Sequence, residues 1–226
     1  MDFGATIQGS WQLLLQGLWA TVLVSVLAIG AGIVVGFVLC LMILSKFRVL
    51  RALAGVYVWV IRGTPMLVQA FIVYFGVPQL VRLIVPGFTI STFVAGGITL
   101  TVNASAYLSE IFRSGINAVD PGQVEAARSL GLSGSRTMAR IILPQAVRIT
   151  IPSLVNQFII TIKDSSLLSV IGMAELVNKA RVYVGATYNY FATYILVAVL
   201  YLAVISVLMV VSRRVERRLN RDKDSR

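Results

Sequence analysis

The 226-residue sequence contains no histidine and a single cysteine, Cys40. The first absence removes the commonest general base and the commonest metal ligand together. The second excludes a disulfide framework and a thiolate metal cluster. Cys40 lies in an apolar stretch and reads as a small buried hydrophobe. No phosphate loop of the G-x-x-x-x-G-K-[ST] type occurs, so any nucleotide hydrolysis of that kind belongs to another chain. A membrane enzyme would find little chemistry here.

What the sequence does have is apolar. Hydrophobic side chains make up 58% of it and charged ones only 13%, against the ~45–50% apolar content of soluble domains. Several stretches reach the ~20 apolar residues that a bilayer crossing needs. The expected class is an all-α, multi-pass membrane protein, with residues 1–226 forming one transmembrane domain and the lipid bilayer as its surroundings. The start, "MDFGATIQGSWQ", carries Asp2 and no Lys or Arg. It lacks the basic beginning of a cleaved signal peptide, so the first apolar segment is expected to be a retained helix.

Five crossings are expected, at about 13–44, 50–84, 91–116, 145–172 and 191–212. Gly30, Gly32 and Gly36 fall at near-helical spacing in the first and would let another helix come close. The second region is too long for one straight crossing and is broken at "IRGTP", 61–65. Pro65 cannot donate to a carbonyl one turn back, and Thr64-Pro65 suits the start of a new helix. This predicts a lead-in helix at 50–62 and a spanning helix at 65–84, separated by a break at 63–65. A less apolar segment, 175–190, precedes the last crossing.

The formal net charge is +11, and its distribution argues for lipid headgroups rather than nucleic acid. Seven of the twenty Lys and Arg lie in the tail 213–226, immediately after an apolar helix. Fifteen lie in loops on the tail's side of the membrane and three, Arg82, Lys179 and Arg181, on the other. That bias places the N-terminus outside and the C-terminus in the cytoplasm.

Residues 117–148 form a polar cytoplasmic segment. Asp120 is a helix cap with Pro121 at the first helical position, and Gly131 is placed to end the helix. A short helix at about 121–130 is expected, presenting Val124, Ala127 and Leu130, with Glu125 and Arg128 spaced to pair. It suits a groove on a partner, or equally the membrane surface.

Glu125-Ala126-Ala127, then Gly131, then Ile141, Leu143 and Pro144 resemble the EAA signature of membrane permease subunits of bacterial ATP-binding-cassette importers. Stretches including "IRGTPMLVQ", "NASAYLSEIFRSGINAVDPGQVEAARSLG" and "KDSSLLSVI" are similar to the polar-amino-acid branch of these type I importers. The branch often carries Lys-Asp-Thr-Ser where this chain has Lys163-Asp164-Ser165-Ser166. The resemblance implies five crossings and a permease that is not itself an enzyme. It implies that the coupling segment 120–133, with Glu125, Ala126, Ala127, Arg128, Leu130, Gly131 and Leu132, docks on a separate ATPase dimer. It also implies a second permease chain, the same or homologous, an external substrate-binding protein and a polar amino acid as cargo. The chain would bind no cofactor itself; ATP and Mg would be used by the partner ATPase.

Ionisable residues within a membrane helix cost about 2.5–3.5 kcal/mol at its centre and mark functional positions. A free amino acid is a zwitterion, so Lys163 is assigned to its carboxylate and Asp164 to its ammonium; the alternative is a structural pair that only bonds to neighbouring helices. Ser165 adds a hydroxyl beside them. Asn103, near the midplane, could hold a carboxylate, with Tyr107 one turn further in; either could instead make an interhelical hydrogen bond. A buried Arg62–Glu110 pair could close the inner end of the pathway, while Glu110 could equally pair with Arg113. The rival reading is an amino-acid transporter or channel driven by an ion gradient. It accounts for the charges but not for the coupling segment.

Overall fold

The computed structural model describes residues 3–224. Its elements in order are α1 Phe3–Leu44, α2 Arg48–Gly63, α3 Met66–Phe71, a π-helical turn Ile72–Gly76, α4 Val77–Val81, α5 Thr92–Asn117 and α6 Pro121–Ser129. Then come α7 Gly134–Thr137, a second π turn Met138–Ile142, α8 Leu143–Asp164, a 3-10 helix Ser165–Ile171, α9 Leu176–Thr187 and α10 Tyr190–Asp224.

Among the described residues, three helical stretches are long and apolar enough to cross a bilayer: Phe3–Leu44, Gly134–Ile171 and Tyr190–Arg214. There are four if the bent pair Arg48–Gly63 and Met66–Val81 counts as one. The expected third crossing, α5, is not among them. Thr99, Thr101, Asn103, Ser105, Ser109 and Glu110 dilute its apolar run. That composition is tolerable because α5 packs against α1, α2, α3 and α8, and its hydroxyls bond back to its own turns.

The boundaries differ from expectation in ways proline and tertiary packing explain. α1 starts at Phe3 rather than 13 because its N-terminal turns are clasped: Phe3 meets Phe191 edge-on, and Asn189 donates to Thr6. At 1.5 Å per residue it is about 60 Å long, twice a bilayer's hydrocarbon core. The helical stretch that holds the expected fourth crossing starts at Gly134 rather than about 145. Both π turns lie one turn before a proline, Pro78 and Pro144, where the missing amide would otherwise bond to Tyr74 or Arg140. The segment 175–190 is largely the helix α9. The helix holding the last expected crossing, 191–212, continues through the basic tail to Asp224, although its candidate span ends at Arg214. Ser225 and Arg226 lie outside the described residues, as does Asp2.

The main core forms where α1, α3, α5 and the 3-10 helix meet, from Val24, Ala28, Met66, Ala70, Leu100, Leu168 and Met173. α1 reaches α5 through Gly36, where a Cβ would stand 2.9 Å from the Ser105 carbonyl oxygen. Gly32 also faces α5, but Gly30 faces open space, so the expected contact stripe is narrower by one position. A second cluster joins Leu14 of α1 to α9 and α10. A third, Val119, Ile142 and Ala146 with Ile116, Val124 and Met138 around them, lies under α6.

Candidate functional site

The break between α2 and α3 builds the first wall of the site. Thr64 adopts an extended backbone (φ −120°, ψ 144°) and Pro65 follows. The two arms, Arg48–Gly63 and Met66–Val81, meet at 107°. A helix ending inside a membrane protein leaves carbonyls without partners. Gln69 meets them: its Nε2 donates to the Ile61 carbonyl at 2.8 Å, the Thr64 carbonyl at 3.1 Å and the Thr64 hydroxyl at 2.9 Å. The Thr64 hydroxyl in turn donates to the Val60 carbonyl. Gln69 Oε1 accepts from Asn103 Nδ2 at 3.1 Å. Asn103 therefore makes the interhelical bond that was one of its two expected roles. Gln69 was inside a quoted motif but not singled out; a lone amide in an apolar run just past a Thr-Pro break was the available signal.

The charges next to the break gather on α2 and α5. The Arg62 guanidinium lies 3.9 Å from Glu110 Oε2 and 5.4 Å from the Tyr107 ring centroid. Arg113 donates to both Glu110 oxygens, from Nη2 at 2.6 Å and Nε at 3.3 Å. Both expected partners of Glu110 are thus present. The Arg62–Glu110 pair is not buried, however: the two side chains are 46% and 25% exposed. The kink leaves Arg62 at the helix end beside open space, where a long cationic side chain keeps its head solvated. On one side of the pair is a cavity of about 580 Å³ with Arg51, Trp59 and Tyr107 in its walls. On the other is one of about 390 Å³ between α5 and α8. Gln157, only 5% exposed, lines the second with Ser153 and Tyr107.

The end of α8 carries the expected cargo residues. Lys163 lines a groove of about 780 Å³ between α8 and α10, opposite Tyr201. Asp164, the last residue of α8, is half-buried on a different face. Adjacent residues on a helix point about 100° apart, so the two do not face each other, and among the described residues the ion pairs within 4 Å both involve Glu110 instead. The helix tightens to 3-10 at Ser165, whose buried hydroxyl donates to the Ile162 carbonyl at 2.8 Å. Ser166 donates to the Lys163 carbonyl at 2.6 Å.

Past the left-handed turn at Gly172 (φ +79°) the chain returns to Glu175, which is fully buried. Its carboxylate caps α9, accepting from Val177 N at 2.9 Å and Asn178 N at 2.6 Å. Burial pushes this carboxyl up to about 7 from the usual 4.5, against the pull of those amides, the Tyr201 hydroxyl and Arg181. Sequence reading passed over Glu175 because it sits in an otherwise ordinary cap position.

At the other end of the molecule, Asp120 accepts from Gly122 N at 2.8 Å and Pro121 opens α6. Gly131 turns left-handed (φ +75°), and Leu132 N donates back to the Ala127 carbonyl at 3.1 Å, closing the helix. The exposed face differs from the one expected. Ala127 is buried and Val124 packs on the third core cluster, while Leu130, at the cap, is 82% exposed. Leu130 has left the helix at ψ 9° and no longer shares the face of Val124 and Ala127. Glu125, Ala126 and Arg128 are exposed, and Glu125 and Arg128 are not within ion-pair distance. A solvated pair at that spacing gains little by closing.

Residues 6–221 match the family described as binding-protein-dependent transport system inner membrane component. The chain is 39% identical over 219 residues to the arginine transport system permease protein ArtQ of Bacillus subtilis, covering 97% of each. It is 39% identical over 206 residues to a putative glutamine transport system permease protein, GlnP, of Rickettsia bellii, covering 91% of this chain and 92% of that one. Its fold is similar to a chain in the crystal structure of an amino acid ABC transporter with histidines, with a TM-score of 0.90 and 39% identity over 96% of this chain and 99% of that one. A chain of the MetNI methionine ABC transporter shares the fold at a TM-score of 0.76, with 20% identity over 92% of this chain and 96% of that one.

Proposed function

Because the chain belongs to the family of binding-protein-dependent transport system inner membrane components, we propose that it is the permease subunit through which an ATP-driven importer moves a polar amino acid across the cytoplasmic membrane. The observation that carries the mechanism is the seat of α6. It rests on Ile116, Val119, Met138, Ile142 and Ala146, at the C-terminal end of α5 and the N-terminal end of α8. Those two helices also carry Tyr107, Glu110, Gln157, Lys163 and Asp164. A force on α6 therefore reaches both walls of the 390 Å³ cavity through packed side chains.

In this reading the chain crosses the bilayer five times, with α5 as the sheltered third crossing and the N-terminus outside. Glu125, Ala126, Arg128, Leu130 and Gly131 meet a separate ATPase dimer, with Ala127 and Leu132 fixing the helix beneath them. ATP and Mg are used there, not on this chain. A second permease chain completes the pathway, and an external binding protein delivers the cargo; nucleic acid has no part. Asp164 receives the ammonium of the amino acid and Lys163 its carboxylate, with Ser165, Asn103 and Tyr107 along the path. Arg62 and Glu110 gate its inner end. Their 3.9 Å separation, beside the 2.6 Å Arg113–Glu110 bond, makes Arg62 the partner that is released when the gate opens.

Reconstitution with the cognate ATPase and binding protein tests the reading directly. Uptake of amino acid into proteoliposomes is expected to need ATP and no ion gradient. Uptake that requires a gradient and ignores ATP would establish the gradient-driven alternative.

A further inference from the structure

Behind the Lys163–Ser166 segment lies a buried polar knot that the proposed mechanism does not use. The Tyr201 hydroxyl on α10 donates to Glu175 Oε2 at 3.4 Å, and the hydroxyls of Ser165 and Thr21 are near enough to act on it electrostatically. Thr21 Oγ1 accepts from Leu176 N at 3.1 Å. Four elements, α1, the 3-10 helix, α9 and α10, thus converge on one phenol. A helix cap needs no such company, since the two amide bonds already satisfy α9. Tyr201 also has a second surface, because it lines the same groove as Lys163. The 3-10 helix that begins at Ser165 has poorer internal hydrogen-bond geometry than an α-helix and takes its position from outside ties. Those ties come from the knot side: Arg181 and Asn178, which follow Glu175 on α9, donate to the Ser169 carbonyl at 3.4 and 3.5 Å, and Tyr201 stands near Ser165.

We infer that Tyr201 and Glu175 are positioning residues that set the angle at which Asp164 and Ser165 meet the cargo. The inference rests on the reading that the Lys163–Ser166 segment touches the transported amino acid. The charged and titratable groups facing Glu175 are Arg181 on its own helix and Tyr201 on α10; α1 and the 3-10 helix bring the hydroxyls of Thr21 and Ser165. With its carboxyl up to about 7, Glu175 gains or loses a proton in the neutral range. The Tyr201 hydroxyl then faces either a neutral acid or an anion. Cargo affinity should register that change.

The experiment measures equilibrium binding of labelled L-glutamine and L-arginine to the full permease–ATPase complex, purified without binding protein, between about pH 6 and 8. For whichever probe binds, Tyr201→Phe is expected to weaken affinity about three- to ten-fold, the change that one lost hydrogen bond produces, with ATP hydrolysis unchanged. The wild-type affinity is expected to step with pH near the Glu175 value, and Glu175→Gln to flatten the step. Asp164→Asn, run in parallel, should abolish binding. If both knot variants keep wild-type affinity and pH profile while Asp164→Asn abolishes binding, the knot only braces the fold and the inference is overturned while the cargo reading stands. If Asp164→Asn binds normally, the cargo reading itself falls, and the inference with it. Should Tyr201→Phe not assemble, the pH profile of Glu175→Gln decides alone.

Discussion

Gln69 shows how much one side chain settles in this protein. Its amide nitrogen serves three oxygens around the α2–α3 break and its oxygen takes the Asn103 amide. Gln69→Leu keeps the volume and strands those groups, so a loss of about 1–3 kcal/mol is expected. Thermal unfolding of the purified chain in detergent would read it as a lowered midpoint, and Gln69→Glu would not restore it, because a carboxylate cannot donate. Glu175 gives a prediction of a different kind. Its value in the folded chain, about 7, lies above the ordinary 4.5, so the folded state holds this proton more tightly than the unfolded state does. The stability this provides is full below about 4.5 and is lost as the pH rises through about 7. The sequence holds no histidine to overlay the effect in that window. The unfolding midpoint is expected to fall between about pH 5 and 7.5, and Glu175→Gln to remove most of the fall.

Elements were legible in proportion to how local their causes are. The cap at Asp120, the stop at Gly131 and the break at Thr64-Pro65 each depend on one or two residues, and each is where the sequence places it. The π turns were not foreseen, although their prolines were visible, because proline dictates only that a bond is missing and not how the chain adjusts. The face of α6 was misjudged for a tertiary reason: spacing put Val124, Ala127 and Leu130 together, but Val124 packs on the core beneath and Ala127 is buried. Gly131 belongs to the same element and tests it. At φ +75° any side chain adds about 1 kcal/mol of strain and, on the docking reading, a projection into the interface. Gly131→Asp is expected to reach the membrane and assemble normally, yet to lose ATP-coupled uptake. Normal uptake by that variant would remove the docking role.

The whole-molecule reading depended on charge and apolar runs, which speak to where helices lie and not to which helices touch. The sequence therefore offered Arg62 and Arg113 as alternative partners of Glu110, both of which it has, but missed the Glu175–Tyr201 knot, whose members come from elements that share no local pattern. The same distance has a consequence for how the protein is made. The long first helix precedes every other described element, yet several of its partners arrive last. Thr6 is bonded to Asn189, Thr21 to Leu176, and Leu14 packs with Val197. During synthesis these contacts with the first helix cannot form until nearly the entire polypeptide has been made. The end of the fold that holds these contacts then shuts like a clasp whose two halves come from the first helix and the last third of the chain. A ribosome that stalls between α8 and α9 would leave that clasp open, presenting membrane proteases with a mark that distinguishes an unfinished copy from a finished one.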